Sequence, residues 1–419
     1  MTLRRILRRH LRLTPLRICL IGSSFMCFFF LGIFTLPNKQ QIRRANIEDI
    51  TDIYKEMLLT AATRRKLAQH SRTARKNLII VSHGRSGSSL MGDIFNHNPS
   101  VFYMYEPLQS AKRITKDKST TNESYSNIVD KFLTGVFRCK FDQPEILADI
   151  EKYYRKPDHP RISQAIASPP LCPYKLTDSR WDPKLCYPMT SASLESACKD
   201  NYNLTVIKVL MDRIPESNIK TVLTSCNSFD VDCKILFLVR DPRAVIPSSR
   251  SFGFFNEKGN KDALQNTRLF SYKLCKETEE NLVFIRKLPD FLRKRIKLQR
   301  YEDVAMDPLK ELSRLYDFVG LPVLESVRKW LNETTQLSRS DCNEKDGAQA
   351  TCTKDNARVA ANRWRWKVHP HDISVIEYYC ASVMRLVGYR TVDRSYELLA
   401  NVTIPLSTHD YEAKNWGLH

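Results

Sequence analysis

Hydrophobic positions along this chain fall into two regimes. From Ile18 to Leu36 the run ICLIGSSFMCFFFLGIFTL has no charged residue and is apolar on every face. Its length is close to the ~20 residues a helix needs to cross a bilayer. Residues 37–76 are mixed and charged, with Ile50, Ile53, Met57 and Leu58 at helical spacing, and read as a solvated stem. From Asn77 onward, short aliphatic runs alternate with longer helical stretches. Leu78–Val81, Val206–Leu210 and Ile235–Val239 are continuous runs of the kind that form strands buried on both faces. A shorter strand is expected at 101–104. Helices are predicted over 89–96, 263–287, 308–319 and 371–387, the last with Ile373, Ile376, Tyr379, Cys380 and Val383 on one face. Strands separated by helices predict an α/β domain with a parallel sheet flanked by helices. The segments 155–200 and 338–356 read as disulfide-bound insertions. The chain therefore divides into a tail at 1–17, a span at 18–36, a stem at 37–76 and a folded domain at 77–419.

The flanks of the apolar run set its orientation. Arg4, Arg5, Arg8, Arg9, Arg12 and Arg17 precede it with no acidic residue, which predicts a cytoplasmic N-terminus. A cleaved signal peptide has a shorter apolar run ending in small residues. This run ends Phe34-Thr35-Leu36-Pro37, so an uncleaved, single-pass type II anchor is expected. A buried core helix would not be apolar on all faces and bracketed by arginines. Everything after Leu36 is then lumenal or extracellular. Four N-x-[ST] sequons, at Asn122, Asn203, Asn332 and Asn401, agree with that side of the membrane. Beyond the span lie Cys139, Cys172, Cys186, Cys198, Cys226, Cys233, Cys275, Cys342, Cys352 and Cys380, an even set that suits an oxidising compartment. Cys342 with Cys352, and Cys226 with Cys233, are spaced to close short loops, though spacing alone does not fix the pairing. No zinc-type C-x₂-C spacing occurs, so no metal is expected.

Composition changes the picture only through charge. The chain of 419 residues has 66 Lys and Arg against 46 Asp and Glu, a formal +20, which invites a nucleic-acid reading. The tail holds six arginines, and the stem ten basic and four acidic residues, which leaves about +8 for the folded domain. That modest surplus suits an anionic small molecule. The basic domain also lies across a membrane from nucleic acid, so no nucleic-acid partner is expected.

Two segments carry chemistry. The first, Val81-Ser-His-Gly-Arg-Ser-Gly-Ser-Ser-Leu90, follows a strand and opens a helix. Strand, small-residue loop and helix N-terminus make an anion cradle from backbone N–H groups. Arg85 adds fixed charge, Gly87 lets the backbone approach, Ser86, Ser88 and Ser89 add hydroxyls, and Leu90 and Met91 begin the helix. The Gly-Lys-Ser/Thr core of a nucleotide P-loop is missing. The second segment is Ile235-Leu-Phe-Leu-Val-Arg-Asp-Pro-Arg-Ala-Val-Ile-Pro-Ser-Ser249. Here a strand ends at Arg240, and Asp241-Pro242 starts a helix through Arg243, Ala244, Val245, Ile246, Pro247 and Ser248. Arg240 and Ser248 can reach one phosphate. The plainer reading makes Arg240–Asp241 a surface ion pair.

Together these segments resemble the Golgi membrane-bound carbohydrate sulfotransferases, in particular the group that sulfates the 6-hydroxyl of Gal, GalNAc or GlcNAc. Similar blocks continue at Asn96–Pro107, Tyr301–Pro308, Phe318–Leu321, Trp364-Arg365 and Leu386–Tyr389. The resemblance implies a P-loop-like sulfotransferase fold and transfer of a sulfuryl group from 3′-phosphoadenylyl sulfate (PAPS) to a sugar hydroxyl, without metal. It implies that residues 85–91 hold the 5′ side of the donor. It also implies that Arg240 and Ser248, within 240–248, hold the 3′-phosphate, and that Arg85 stabilises the leaving phosphate. The acceptor is expected to be a glycan or proteoglycan such as keratan or chondroitin sulfate; a homodimer is left open. The acceptor hydroxyl needs a general base. Glu106 is the candidate and His83 the rival, with a packing role suiting His83 better. Glu106 could instead bind the acceptor or a neighbouring arginine.

The family more often has a bulky or hydroxyl residue at Gly84 and an aromatic-His pair where Leu108-Gln-Ser-Ala111 stands, so the sugar preference is open. Trp364 and Arg365 either contact an anionic glycan or belong to the core. Two other functions fit parts of the pattern: a P-loop-like kinase of lumenal substrates, and a non-catalytic glycan-binding protein on the same fold.

Overall fold

A computed structural model describes residues 75–117, 122–154, 163–227, 231–251, 263–336, 356–408 and 416. The expected anchor at 18–36, nearly all of the stem, and the Cys342 and Cys352 pair lie outside these residues. Among the described residues no helix is long and apolar enough to cross a membrane.

Five strands, β1 (Lys76–Ser82), β2 (Val101–Tyr105), β3 (Leu204–Leu210), β4 (Asp232–Val239) and β5 (Ile296–Arg300), form one sheet in the order β2-β3-β1-β4-β5. Every pairing is parallel. The central strand β1 pairs Ile79 with Ile207 on one side and with Ile235 on the other. Leu78 to Val81 and Val206, Ile207, Ile235 and Leu236 are fully buried, which is why these strands read as unbroken apolar runs. β5 was not expected. Its sequence Ile-Lys-Leu-Gln-Arg has no such run, and Arg300 is buried there because Asp303 and the Val387 and Thr408 carbonyls take its guanidinium.

Sixteen helices are described around the sheet. The first half of the domain holds α1 (Ser88–Asn96), α2 (Leu108–Asp117), α3 (Asn122–Phe137), α4 (Pro144–Tyr154), α5 (Ser191–Asn201) and α6 (Ile219–Cys226). After β4 come α7 (Pro242–Ser251), α8 (Ala263–Lys287), α9 (Asp290–Arg293), α10 (Tyr301–Met306), α11 (Pro308–Val319) and α12 (Glu325–Gln336). The last four are α13 (Ala357–Asn362), α14 (Trp364–Lys367), α15 (Pro370–Val387) and α16 (Tyr396–Ala400). One face of the sheet packs Leu78, Ile80, Leu236 and Leu238 against Leu312, Leu315 and Tyr316 of α11 and Val327 and Leu331 of α12. α11 starts where Asp307 caps the Lys310 N–H ahead of Pro308, a helix-start signal legible in the sequence.

Among the described residues four disulfides form: Cys139–Cys198, Cys172–Cys186, Cys226–Cys233 and Cys275–Cys380. The pair 226–233 is one of the two short loops that the spacing allowed. Cys172–Cys186 lies inside the insertion expected at 155–200, and Cys275–Cys380 ties α8 to α15.

The connection leaving β1 runs to β2 on one side of the sheet, while β4 leads to β5 on the other. The loops after β1 and β4 therefore flank a crevice at the carboxyl edge, where open α/β sheets bind their ligands.

Candidate active site

The loop after β1 is built around two left-handed residues. Arg85 has φ 68° and Gly87 has φ 84°, and Gly87 caps α1, accepting the Met91 N–H at 3.2 Å. Only glycine fits at 87, because a Cβ there would lie 2.2 Å from Cδ2 of Tyr301. Ser86, Ser88, Leu90 and Met91 are buried, whereas Arg85 and Ser89 are half-buried. A backbone strained at Arg85 is the kind of feature that functional loops retain.

The second segment closes on the first. Arg85 Nε donates to Ser248 Oγ at 3.0 Å, and Arg240 Nη1 donates to the Arg85 carbonyl at 3.0 Å. Arg240 Nη2 holds the Ala360 carbonyl at 2.8 Å, and its guanidinium lies 4.5 Å from the Tyr301 ring centre. Burial, then the charge of Arg240, lowers the pKa of Arg85. Two cations are thus held within each other's field where the two loops meet, an arrangement that favours an anion nearby.

Asp241 is not part of a surface pair with Arg240. It is buried and accepts from Arg243 at 2.9 Å and 2.7 Å, while Arg243 Nη1 donates to Glu377 at 2.7 Å. Trp364 lies 4.3 Å from the same guanidinium. A fully buried charge needs such partners. The span 240–248 therefore divides. Arg240 and Ser248 face the loop, Pro247 is half-buried, and Asp241, Pro242, Arg243, Ala244, Val245 and Ile246 are buried in its support. Trp364 and Arg365 are settled as core: Trp364 is buried against Arg243, and Arg365 donates to the Asn401 and Ile404 carbonyls at 3.0 and 2.9 Å. Glu302 joins three blocks of sequence by accepting the Asp241 N–H at 3.1 Å and the Tyr389 hydroxyl at 2.7 Å.

Glu106 follows β2 directly. Its φ is 44°, and its N–H donates to the Lys208 carbonyl at 2.7 Å. Its carboxylate pairs with Lys208 Nζ, the two side chains being 12% and 2% exposed. The neighbour is thus a lysine, not an arginine. Lys208 sits opposite Tyr105 in the β2–β3 register, with Nζ 4.2 Å from the Tyr105 ring centre. Burial, then the Glu106 charge, raises the pKa of the Tyr105 hydroxyl. Lys208 thus contacts both the Glu106 carboxylate and the Tyr105 ring.

Sequence reasoning did not pick out Lys208. The signal was available: it is the one charged residue in the buried run Leu-Thr-Val-Ile-Lys-Val-Leu, and a lysine so placed needs a partner. His83 is tied to Thr278 Oγ1 at 3.0 Å, and burial, then Lys273, lowers its pKa to about 4. The ring is neutral at neutral pH and weakly basic. Among the described residues no cluster suited to a metal occurs.

Residues 75–388 match the family described as "Sulfotransferase domain". Carbohydrate sulfotransferase 6 of Homo sapiens is 26% identical over 352 residues, spanning 79% of this chain and 86% of that protein. Carbohydrate sulfotransferase 4 of Mus musculus is 27% identical over 372 residues, spanning 84% of this chain and 91% of that protein. A solved structure, the Sulfotransferase Domain from the Curacin Biosynthetic Pathway, aligns with a TM-score of 0.40 at 17% identity, covering 75% of this chain and 98% of that chain. With the family matched across well over half its length, the chain belongs to the sulfotransferases and is related among them to the carbohydrate sulfotransferases.

Proposed function

We propose that this enzyme transfers the sulfuryl group of PAPS to the 6-hydroxyl of Gal, GalNAc or GlcNAc in a glycan such as keratan or chondroitin sulfate. The observation that carries the reading is the meeting of two paired devices at one sheet edge. Arg240 holds the loop at the Arg85 carbonyl, and Glu106, at the end of β2, is paired with Lys208 of β3. The donor set suits PAPS: a loop and helix N-terminus for one anionic end, and a second arginine with a nearby serine for the other.

Bound PAPS supplies the sulfuryl group and a phosphate leaving group. The amides opening α1 face the 5′ side of the donor, and Arg240 and Ser248 face its 3′-phosphate. Arg85 would stabilise the negative charge that gathers on the leaving phosphate, the kind of preorganised contribution that is often the largest in catalysis. Glu106 takes the proton from the acceptor hydroxyl as the S–O bond to that oxygen forms and the S–O bond to the donor phosphate breaks. Lys208 pairs with the Glu106 carboxylate and fixes its position. The disulfides support an oxidising lumen, the charge pattern around 18–36 supports a single-pass type II membrane protein, and the likeness to carbohydrate sulfotransferases supports the Golgi.

Donor identity is tested with the full chain given labelled PAPS or γ-labelled ATP. Label entering the glycan from PAPS alone is expected; transfer from ATP alone would replace the sulfotransferase reading with a kinase. Arg240→Ala is expected to lose retention on immobilised 3′,5′-ADP, by roughly tenfold or more in affinity for a lost charge-assisted contact. Unchanged retention would remove Arg240 from the donor site.

A further inference from the structure

Tyr301 and Glu302 open α10 and touch both donor loops. The Tyr301 ring lies against Gly87, where it leaves no room for a Cβ, and beside the Arg240 guanidinium. Glu302 meets the second loop at its backbone, where Oε1 accepts the Asp241 N–H at 3.1 Å. Its other oxygen, Oε2, accepts the Tyr389 hydroxyl at 2.7 Å. Tyr389 stands two residues after α15, and its N–H donates to the Met384 carbonyl at 2.7 Å. Arg300, just before α10, braces the same corner by donating to the Val387 and Thr408 carbonyls at 3.1 and 2.7 Å.

α7 starts on Asp241. The Asp241 carbonyl accepts the Ala244 and Val245 N–H groups at 2.9 and 3.1 Å, and its carboxylate accepts the Arg243 N–H at 2.9 Å. Arg240 precedes Asp241, and Ser248 lies about two turns into the helix. The Glu302 carboxylate thus fixes the one N–H that stands between Arg240 and α7. Glu302 and Tyr389 are 9% and 5% exposed, and the carboxylate is held by these two neutral donors. Burial, then the Asp241 charge, raises its pKa, and the Arg240 charge opposes them. A carboxylate buried on neutral partners is costly, and apolar residues would pack such a place at least as well. Its use here is geometric.

We propose that Glu302 and Tyr389 are positioning residues for the 3′-phosphate side of the donor site. The hydroxyl orients the carboxylate, and the carboxylate sets the backbone that carries Arg240 and Ser248. The inference rests on the sulfuryl-transfer reading, in which those two residues hold the 3′-phosphate.

The preference for 3′,5′-ADP over 5′-AMP, which lacks the 3′-phosphate, isolates that side of the site. It is measured by calorimetric titration of the full chain, with the number of sites per chain and the melting temperature. In Glu302→Ala the preference is expected to fall by about tenfold, with 5′-AMP affinity within about twofold of wild type. With PAPS, the same variant is expected to change KM more than kcat. Tyr389→Phe, which keeps the carboxylate, is expected to lose about threefold in preference. Glu302→Gln keeps an oxygen for the Asp241 N–H and an amide for the Tyr389 oxygen, so its preference is expected to stay within about twofold of wild type. A merely structural role lowers the melting temperature and the number of sites, and leaves the preference of the folded fraction unchanged. Tyr389→Phe decides alone if Glu302→Ala does not fold. Wild-type preference in the folded alanine and phenylalanine variants overturns the proposal, as does a loss in Glu302→Gln equal to that in Glu302→Ala; both outcomes leave the 3′-phosphate assignment standing. Wild-type protein that binds 5′-AMP as tightly as 3′,5′-ADP contradicts the assignment itself, and the proposal falls with it.

Discussion

Glu106→Gln is expected to lower kcat by about 10²–10⁴, the usual span for a general base, while affinity for 3′,5′-ADP stays within about twofold of wild type. The split follows from the geometry. Glu106 sits at the end of β2, whereas the two arginines belong to the loops after β1 and β4. Glutamine keeps an oxygen for Lys208 but cannot take a proton near neutral pH. The variant also leaves the 2%-exposed Lys208 side chain facing a neutral partner. Removing one member of a buried pair outright costs about 3–5 kcal/mol, so some thermal destabilisation is expected as well. Glu106→Gln/Lys208→Met removes the stranded charge. Recovery of melting temperature without recovery of kcat would assign the stability loss to Lys208 and the rate loss to Glu106. Wild-type turnover by Glu106→Gln would take Glu106 out of the mechanism.

Gly87→Ala is expected to damage donor binding severely without changing any charge. The added Cβ would stand 2.2 Å from Tyr301, on a backbone at φ 84° that side chains seldom adopt. The left-handed conformation costs about 1–2 kcal/mol, and overpacking adds about 1–3 kcal/mol. The loop, the ring or both must move, and that ring also lies against Arg240. One to three decades of affinity for 3′,5′-ADP are expected to be lost, at roughly 1.4 kcal/mol per decade. Tyr301→Ala in the same chain relieves the clash but not the dihedral cost, so partial rescue is expected. Wild-type affinity in Gly87→Ala would show that Tyr301 does not wall the loop.

How much of this was legible in the sequence follows from burial. β1, β3 and β4 are buried on both faces, and their apolar runs announced them. The helices at 263–287 and 308–319 were read at the bounds they have. β5 was hidden because its Gln299 and Arg300 are buried by polar partners outside the strand, Glu311 for the first and the distant Val387 carbonyl for the second. The site was half legible. Arg85 and Glu106 stood out because loops after strands carry chemistry. The division of labour within 240–248 did not, since the buried partner of Arg243 besides Asp241 is Glu377, more than a hundred residues onward. Lys208 was passed over for a related reason: in a list of strand residues, its partner Glu106 belongs to another strand's end.

The central claim is sulfuryl transfer from PAPS to a hexose 6-hydroxyl by this site. Its most direct test is transfer by the full chain to keratan, chondroitin and heparan acceptors, with the product linkage read by disaccharide analysis. The expected result is sulfate from PAPS on the 6-position of Gal, GalNAc or GlcNAc in at least one of these chains, lost in Glu106→Gln. Sulfate at another position, or none from PAPS on any acceptor, would contradict it.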